Sequence, residues 1–278
     1  MKKIFLAASL LALSFTAAEA QQLRTPAPSP TALLKQDFAL STVEVSYSRP
    51  SMKGRKIFGD LVPFDKVWRT GANGATTISF GEDVTVGGKP VPAGKYGLLT
   101  IPGQSEWTII LSKQLDVTSP AAYKQDMDVV RFQVKPENMP IAIETFMIAF
   151  DNIKANSMEM DILWDQTAII IPITADIDSK ISKQIDELMS KDNRPYAAAA
   201  AYFVENGKDL NKALGWFDKA IEQNPTAFWL YYQKATCQAK LGKKADAVAT
   251  AKKSIELAKA AKNDDYVALN EKLIASLK

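Results

Sequence analysis

Between Gly54 and Phe80 the chain reads GRKIFGDLVPFDKVWRTGANGATTISF. Arg55 and Arg69 are planar cationic forks suited to a carboxylate or phosphate, Trp68 offers a flat stacking face, and Asn73 carries an amide donor and acceptor. These four form a candidate site for a small polar or anionic ligand. The same residues have a structural reading, in which Arg69 pairs with Asp65 or Asp60 while Gly71 and Gly74 permit a tight turn. Gly54 and Gly59 share the spacing of a phosphate loop. Asp60-Leu61 nevertheless stands where that loop needs lysine and a magnesium-binding hydroxyl, so the motif fails.

Reaction chemistry has little to work with elsewhere. The chain has no histidine, which removes Ser-His-Asp and Cys-His mechanisms and His-ligated zinc. No G-x-S-x-G elbow, S-x-x-K pair or calcium loop occurs. Carboxylates remain: Asp60, Asp65, Glu82 and Asp83 are candidates for paired-carboxylate glycan hydrolysis, and Asp126 and Asp128 could share one side of a strand. No catalytic residue is assigned, and neither a metal nor a cofactor is implied. The single cysteine, Cys237, cannot form an internal disulfide and reads as a buried structural thiol.

The elements that must position these groups fall into four stretches. Met1-Lys2-Lys3, an apolar run to Ala17 and Ala18-Glu19-Ala20 form a signal peptide with cleavage near Ala20, which predicts a periplasmic or secreted protein. Without Lys2, Lys3 and Glu19 the mature chain carries 32 cations against 30 anions, too balanced to predict nucleic-acid binding. No later apolar run reaches membrane-spanning length. Residues 21–32 carry Pro26, Pro28 and Pro30 and read as an extended leader.

From 33 to 173 the apolar period is two. Val43, Val45 and Tyr47 alternate with polar residues, and further short strands are expected at 76–80, 83–86, 95–101, 107–112, 128–134, 144–151, 158–164 and 167–173. Gly87-Gly88 suits a hairpin turn. About nine short strands predict an antiparallel β-sandwich or barrel-like domain. From 174 to 278 the period becomes helical: Ile177, Ile181, Ile185 and Leu188 make one face, with Thr174 or Asp176 available as the cap. Ala213, Phe217 and Ala220 recur as Ala247, Ala251 and Ser254 after 34 residues, the spacing of an all-α tetratricopeptide-like repeat, with a last helix near 264–277. The fold class expected is therefore α+β and multidomain.

Two blocks carry a resemblance. Ser48-Arg49-Pro50, Lys53 to Gly59, Leu61 to Phe64, Val67 to Asn73 and Ala75 to Thr77 closely resemble the family known as domain of unknown function 2911. Pro92 to Tyr96, Ile101 to Gly103 and Glu106 to Thr108 match its second block. The resemblance implies a compact β-domain of secreted or envelope proteins and no established activity or catalytic residue. The expectation is an exported, non-catalytic binding or scaffolding protein whose repeats meet a protein or peptide partner; the alternative is a carboxylate-based glycan hydrolase.

Overall fold

The computed structural model describes residues 25–278. The expected signal peptide and the first residues of the leader lie outside them. The described chain divides into one unit ending at Ala175 and another from Asp176 to Lys278.

The first unit is two antiparallel sheets. Strands β1 (Thr31–Phe38), β2 (Ser41–Ser48), β3 (Thr77–Phe80), β6 (Gly94–Ile101), β7 (Trp107–Ser112) and β8 (Asp128–Val134) form one, in the order β1-β2-β3-β6-β7-β8. Strands β4 (Val84–Val86), β5 (Lys89–Val91), β9 (Glu137–Asp151) and β10 (Ser157–Thr174) form the other, ordered β5-β4-β10-β9. Neither closes into a barrel. The inward faces are those read from alternation: Val43, Val45 and Tyr47 of β2 are buried, as are Met158, Met160, Ile162 and Trp164 of β10. Tyr47 links the sheets. Its hydroxyl donates to Ile148 O at 3.1 Å and accepts from Ile148 N at 3.0 Å, so this inward-facing polar group is satisfied.

Three local expectations change. The leader was expected to run to Ala32, but β1 starts at Thr31 and pairs with β2 over all eight residues, Thr31 opposite Ser48 to Phe38 opposite Ser41. TALLKQDF lacks clean alternation, and Leu33 is 69% exposed; the strand exists because β2 completes its hydrogen bonds. The strands expected at 158–164 and 167–173 are one, β10, with register shifts around Asp165, which takes φ +52°. That bulge explains why the alternation falters without the strand ending. Finally, β8 begins at Asp128 and Asp126 sits in the preceding turn, so the two carboxylates do not share a strand face.

The second unit is helical: α1 (Asp178–Met189), α2 (Tyr196–Glu205), α3 (Leu210–Gln223), α4 (Phe228–Lys240), α5 (Lys244–Ala260) and α6 (Asp264–Ser276). Asp176, not Thr174, serves the start of α1, accepting from Ser179 N at 3.4 Å. The repeat residues are the contact residues: Ala213, Phe217, Ala220, Ala247, Ala251 and Ser254 are all buried. Small side chains there let the helices approach closely. Gly207 and Gly242 take φ +63° and +74° in the turns. Ser254 Oγ donates to Phe228 O at 2.7 Å and Asn270 Nδ2 reaches Ser254 Oγ at 2.9 Å, joining α4, α5 and α6 through a buried polar chain. Cys237 is fully buried and its thiol faces Leu210 O at 3.3 Å; burial raises its pKa.

Phe217 is fully enclosed among Ala200, Val204, Ala213 and Cys237. Phe217→Ala should destabilise the helical unit by about 3–5 kcal/mol in urea unfolding followed by far-ultraviolet dichroism. A change below about 1 kcal/mol would mean that this cluster does not hold the repeats together.

Candidate functional site

The long connection from β2 to β3 builds the site. It leaves β2 along the second sheet, where Phe146 N donates to Pro50 O and Met52 N to Glu144 O. It then returns to β6 of the first sheet, where Trp68 N donates to Thr100 O at 2.7 Å and Thr100 N to Trp68 O at 3.0 Å. The connection therefore runs as a strap across both sheets. Its backbone is unusual: Asp65, Thr70 and Asn73 all have φ near +55° to +60°, and Thr70 is β-branched and buried. Such a conformation costs on the order of 1–3 kcal/mol and persists where the surroundings over-determine it. Here Thr70 Oγ1 donates to Thr100 Oγ1 at 3.1 Å, and Thr76 Oγ1 donates to Thr70 O at 2.7 Å. Gly71 follows with φ +149°, where a Cβ would lie 3.0 Å from both Ser48 O and Thr76 Oγ1.

The indole of Trp68 enters an aromatic cluster. It stacks on Trp164, centroids 5.9 Å apart and planes at 17°, and meets Phe146 edge-on at 5.2 Å. Phe58 and Trp107 complete the cluster at 6.2 and 6.3 Å. Its Nε1 donates to Gly71 O at 3.0 Å.

Two adjoining cavities lie beside this indole, of about 230 and 210 Å³, and both are lined by Leu61, Val62, Trp68 and Arg69. The first adds Ser29, Pro50, Arg55 and Trp164; the second adds Pro63, Val67 and Pro120. Arg55, Trp68 and Arg69 are thus brought together. Asn73 is not: its amide holds the chain leader, donating to Ser29 O at 3.0 Å, and Ser29 rather than Asn73 reaches the cavity.

The arginines do not make the acidic pairs that the structural reading predicts. Arg69 Nη1 donates to Thr118 O at 2.8 Å, while its buried Nε has no hydrogen-bond partner. Arg55 caps its own loop, donating to Met52 O at 2.9 Å and Ser51 O at 2.6 Å. Together with Lys66 in the second cavity, these give a cleft with three cations and no carboxylate in its walls. The contributions of Thr118 and Pro120 escape sequence reading, because they come from a loop joining β7 to β8.

The carboxylates named from sequence are occupied elsewhere. Glu82 accepts from Leu40 N at 2.9 Å and Asp83 from Ala93 N at 2.8 Å, each tying a turn, and neither they nor Asp60 and Asp65 line the cleft. Asp128 accepts from the Tyr123 hydroxyl at 2.5 Å; burial raises the pKa of both groups. Asp161 is pushed up to about 6 by burial and then by Glu159, Asp151 and Glu137. It projects from the face of β10 opposite to Trp164. Among the described residues no group of three or more potential metal ligands occurs, and no helix is long and apolar enough to cross a membrane.

A two-sheet β unit followed by tetratricopeptide-like helices defines a two-part protein of β and helical-repeat class. The family described as Protein of unknown function (DUF2911) matches residues 29–173, more than half of the chain, and the protein belongs to that family. A Tetratricopeptide repeat family matches residues 216–249, one 34-residue period across α3, α4 and α5, which suggests protein–protein interaction. No curated protein and no solved structure matches the chain.

The Asp161 carboxyl binds its proton more tightly folded than unfolded, where its pKa is near 4. Its contribution therefore lowers stability as pH rises from about 4 to about 6. Asp161→Asn should flatten that fall and raise the melting temperature at pH 7, with little effect at pH 4. An equal shift at both pH values would assign the effect to something other than this ionisation.

Proposed function

We infer that the protein is an exported binding protein of the cell envelope. Its helical unit engages a protein partner, and its β unit holds a small anionic ligand in the cleft at Arg55, Trp68 and Arg69. The observation that carries the ligand reading is that Arg69, its Nη1 held by Thr118 O, lines both cavities and is joined by Arg55 in one of them, with no carboxylate in their walls. Guanidinium groups with no carboxylate beside them favour an anion, whose oxygens accept charge-assisted hydrogen bonds. Export rests on the charged start, apolar run and small-residue cleavage pattern of the first twenty residues.

On the helical unit, Ala201, Glu205, Tyr232, Gln233, Thr236 and Lys240 line a third cavity of about 230 Å³ between α2 and α4. This is the surface proposed for the partner. A photo-crosslinker at Gln233 of the intact chain should trap a discrete envelope protein, whereas one at the exposed Lys252 on α5 should not. The reverse result would place the partner on the other face.

Two measurements test the rest. Intact-mass analysis of the protein from its host should show a chain beginning near Gln21; an unprocessed amino terminus would refute export. Indole fluorescence of the wild type should respond saturably to small anions, and Arg69→Met should weaken that response about ten- to a hundredfold, as for loss of a charged hydrogen bond. No response to any anion would remove the ligand site.

A further inference from the structure

The two cavities at Arg69 differ in chemistry, and the difference specifies the ligand. In one arm Arg55 and Arg69 face a space also walled by Trp68 and Trp164. The other arm is walled by Leu61, Val62, Pro63, Val67 and Pro120, and its one lysine, Lys66, is solvent-exposed. Val67 packs against the buried cluster of Leu99, Ile110 and Val117, so this wall is firm. Arg69 lines both arms and is anchored by one nitrogen to Thr118 O.

We propose that the cleft binds a carboxylate bearing a compact apolar arm, with the head group on Arg69 and Arg55 and the arm in the Leu61–Val67–Pro120 slot. This rests on the anion-binding reading above and adds the apolar half. A carboxylate suits the head because a fork donor and a planar acceptor can pair side by side. A free inorganic anion would satisfy Arg69 and leave the slot unused. An uncharged apolar molecule would fill the slot and forgo the charge-assisted hydrogen bonds that a carboxylate makes with the two guanidinium groups.

The test is a calorimetric titration of the intact mature chain with acetate, butanoate, hexanoate and octanoate, with inorganic phosphate, octanol and octylamine alongside. Affinity should rise about fourfold per added methylene as the slot fills, from the ~0.8 kcal/mol of a buried CH₂. Octanol should bind at least tenfold more weakly than octanoate, and octylamine should not bind. Arg69→Met should erase the preference of octanoate over octanol. Leu61 is 42% exposed and lines both arms. Leu61→Glu should therefore keep the melting temperature and abolish octanoate binding, which keeps the test open if Arg69→Met fails to fold.

Acetate and phosphate binding as tightly as octanoate would overturn the apolar arm while leaving the anion site standing. Octanol matching octanoate would overturn the carboxylate head. Octanoate binding unchanged by both variants would place the ligand elsewhere and overturn the proposal, and absence of binding by every compound would overturn the anion site with it.

Discussion

The β unit depends on the packing of one indole. Trp68 belongs to a strap with almost no regular structure, yet its ring stacks on Trp164 of one sheet and touches Trp107 of the other. Its backbone is paired in both directions with Thr100. Each aromatic pair adds about 0.5–1.5 kcal/mol to the area it buries. Contacts on that scale from four rings are enough to offset the left-handed Thr70 in the same strap, which costs on the order of 1–3 kcal/mol. Arg69 is the next residue after Trp68, so holding the indole also fixes where the guanidinium emerges.

Charge placement follows from the same economy of turns. Glu82, Asp83 and Asp176 accept backbone N–H groups at the ends of elements, where turns leave donors unpaired. Acids used in this way are not gathered in the cleft, whose charged groups are all cationic. The hydrolase alternative needs two carboxyls facing one space, and the four sequence candidates do not face the cleft. The helical unit is held differently, by small residues at 34-residue spacing and by the buried Ser254–Asn270 chain.

Much of this was legible in residue order. Alternation marked β2 and the inward face of β10, because burial on one side of a strand imposes a period of two. The repeated alanines marked the helix contacts, because close-packed helices tolerate only small residues there. The resemblance blocks identified the family, and Arg55, Trp68 and Arg69, close together in the sequence, line one cavity. β1 was missed because its partner, not its own pattern, makes it a strand. Asn73 stands apart from that group because its amide donates to Ser29 O, 44 residues away.

The sequence by itself therefore determined the family, the two-part division of period, the inward faces and the residue types available for binding, since these depend on local pattern and composition. Tertiary structure alone decided that Arg69 answers to Thr118 rather than to Asp60 or Asp65, that the acids cap turns, and that a cationic arm meets an apolar one. Those outcomes depend on which distant segments the strap touches as it crosses between sheets, and chain spacing does not encode distances between segments that meet only through folding.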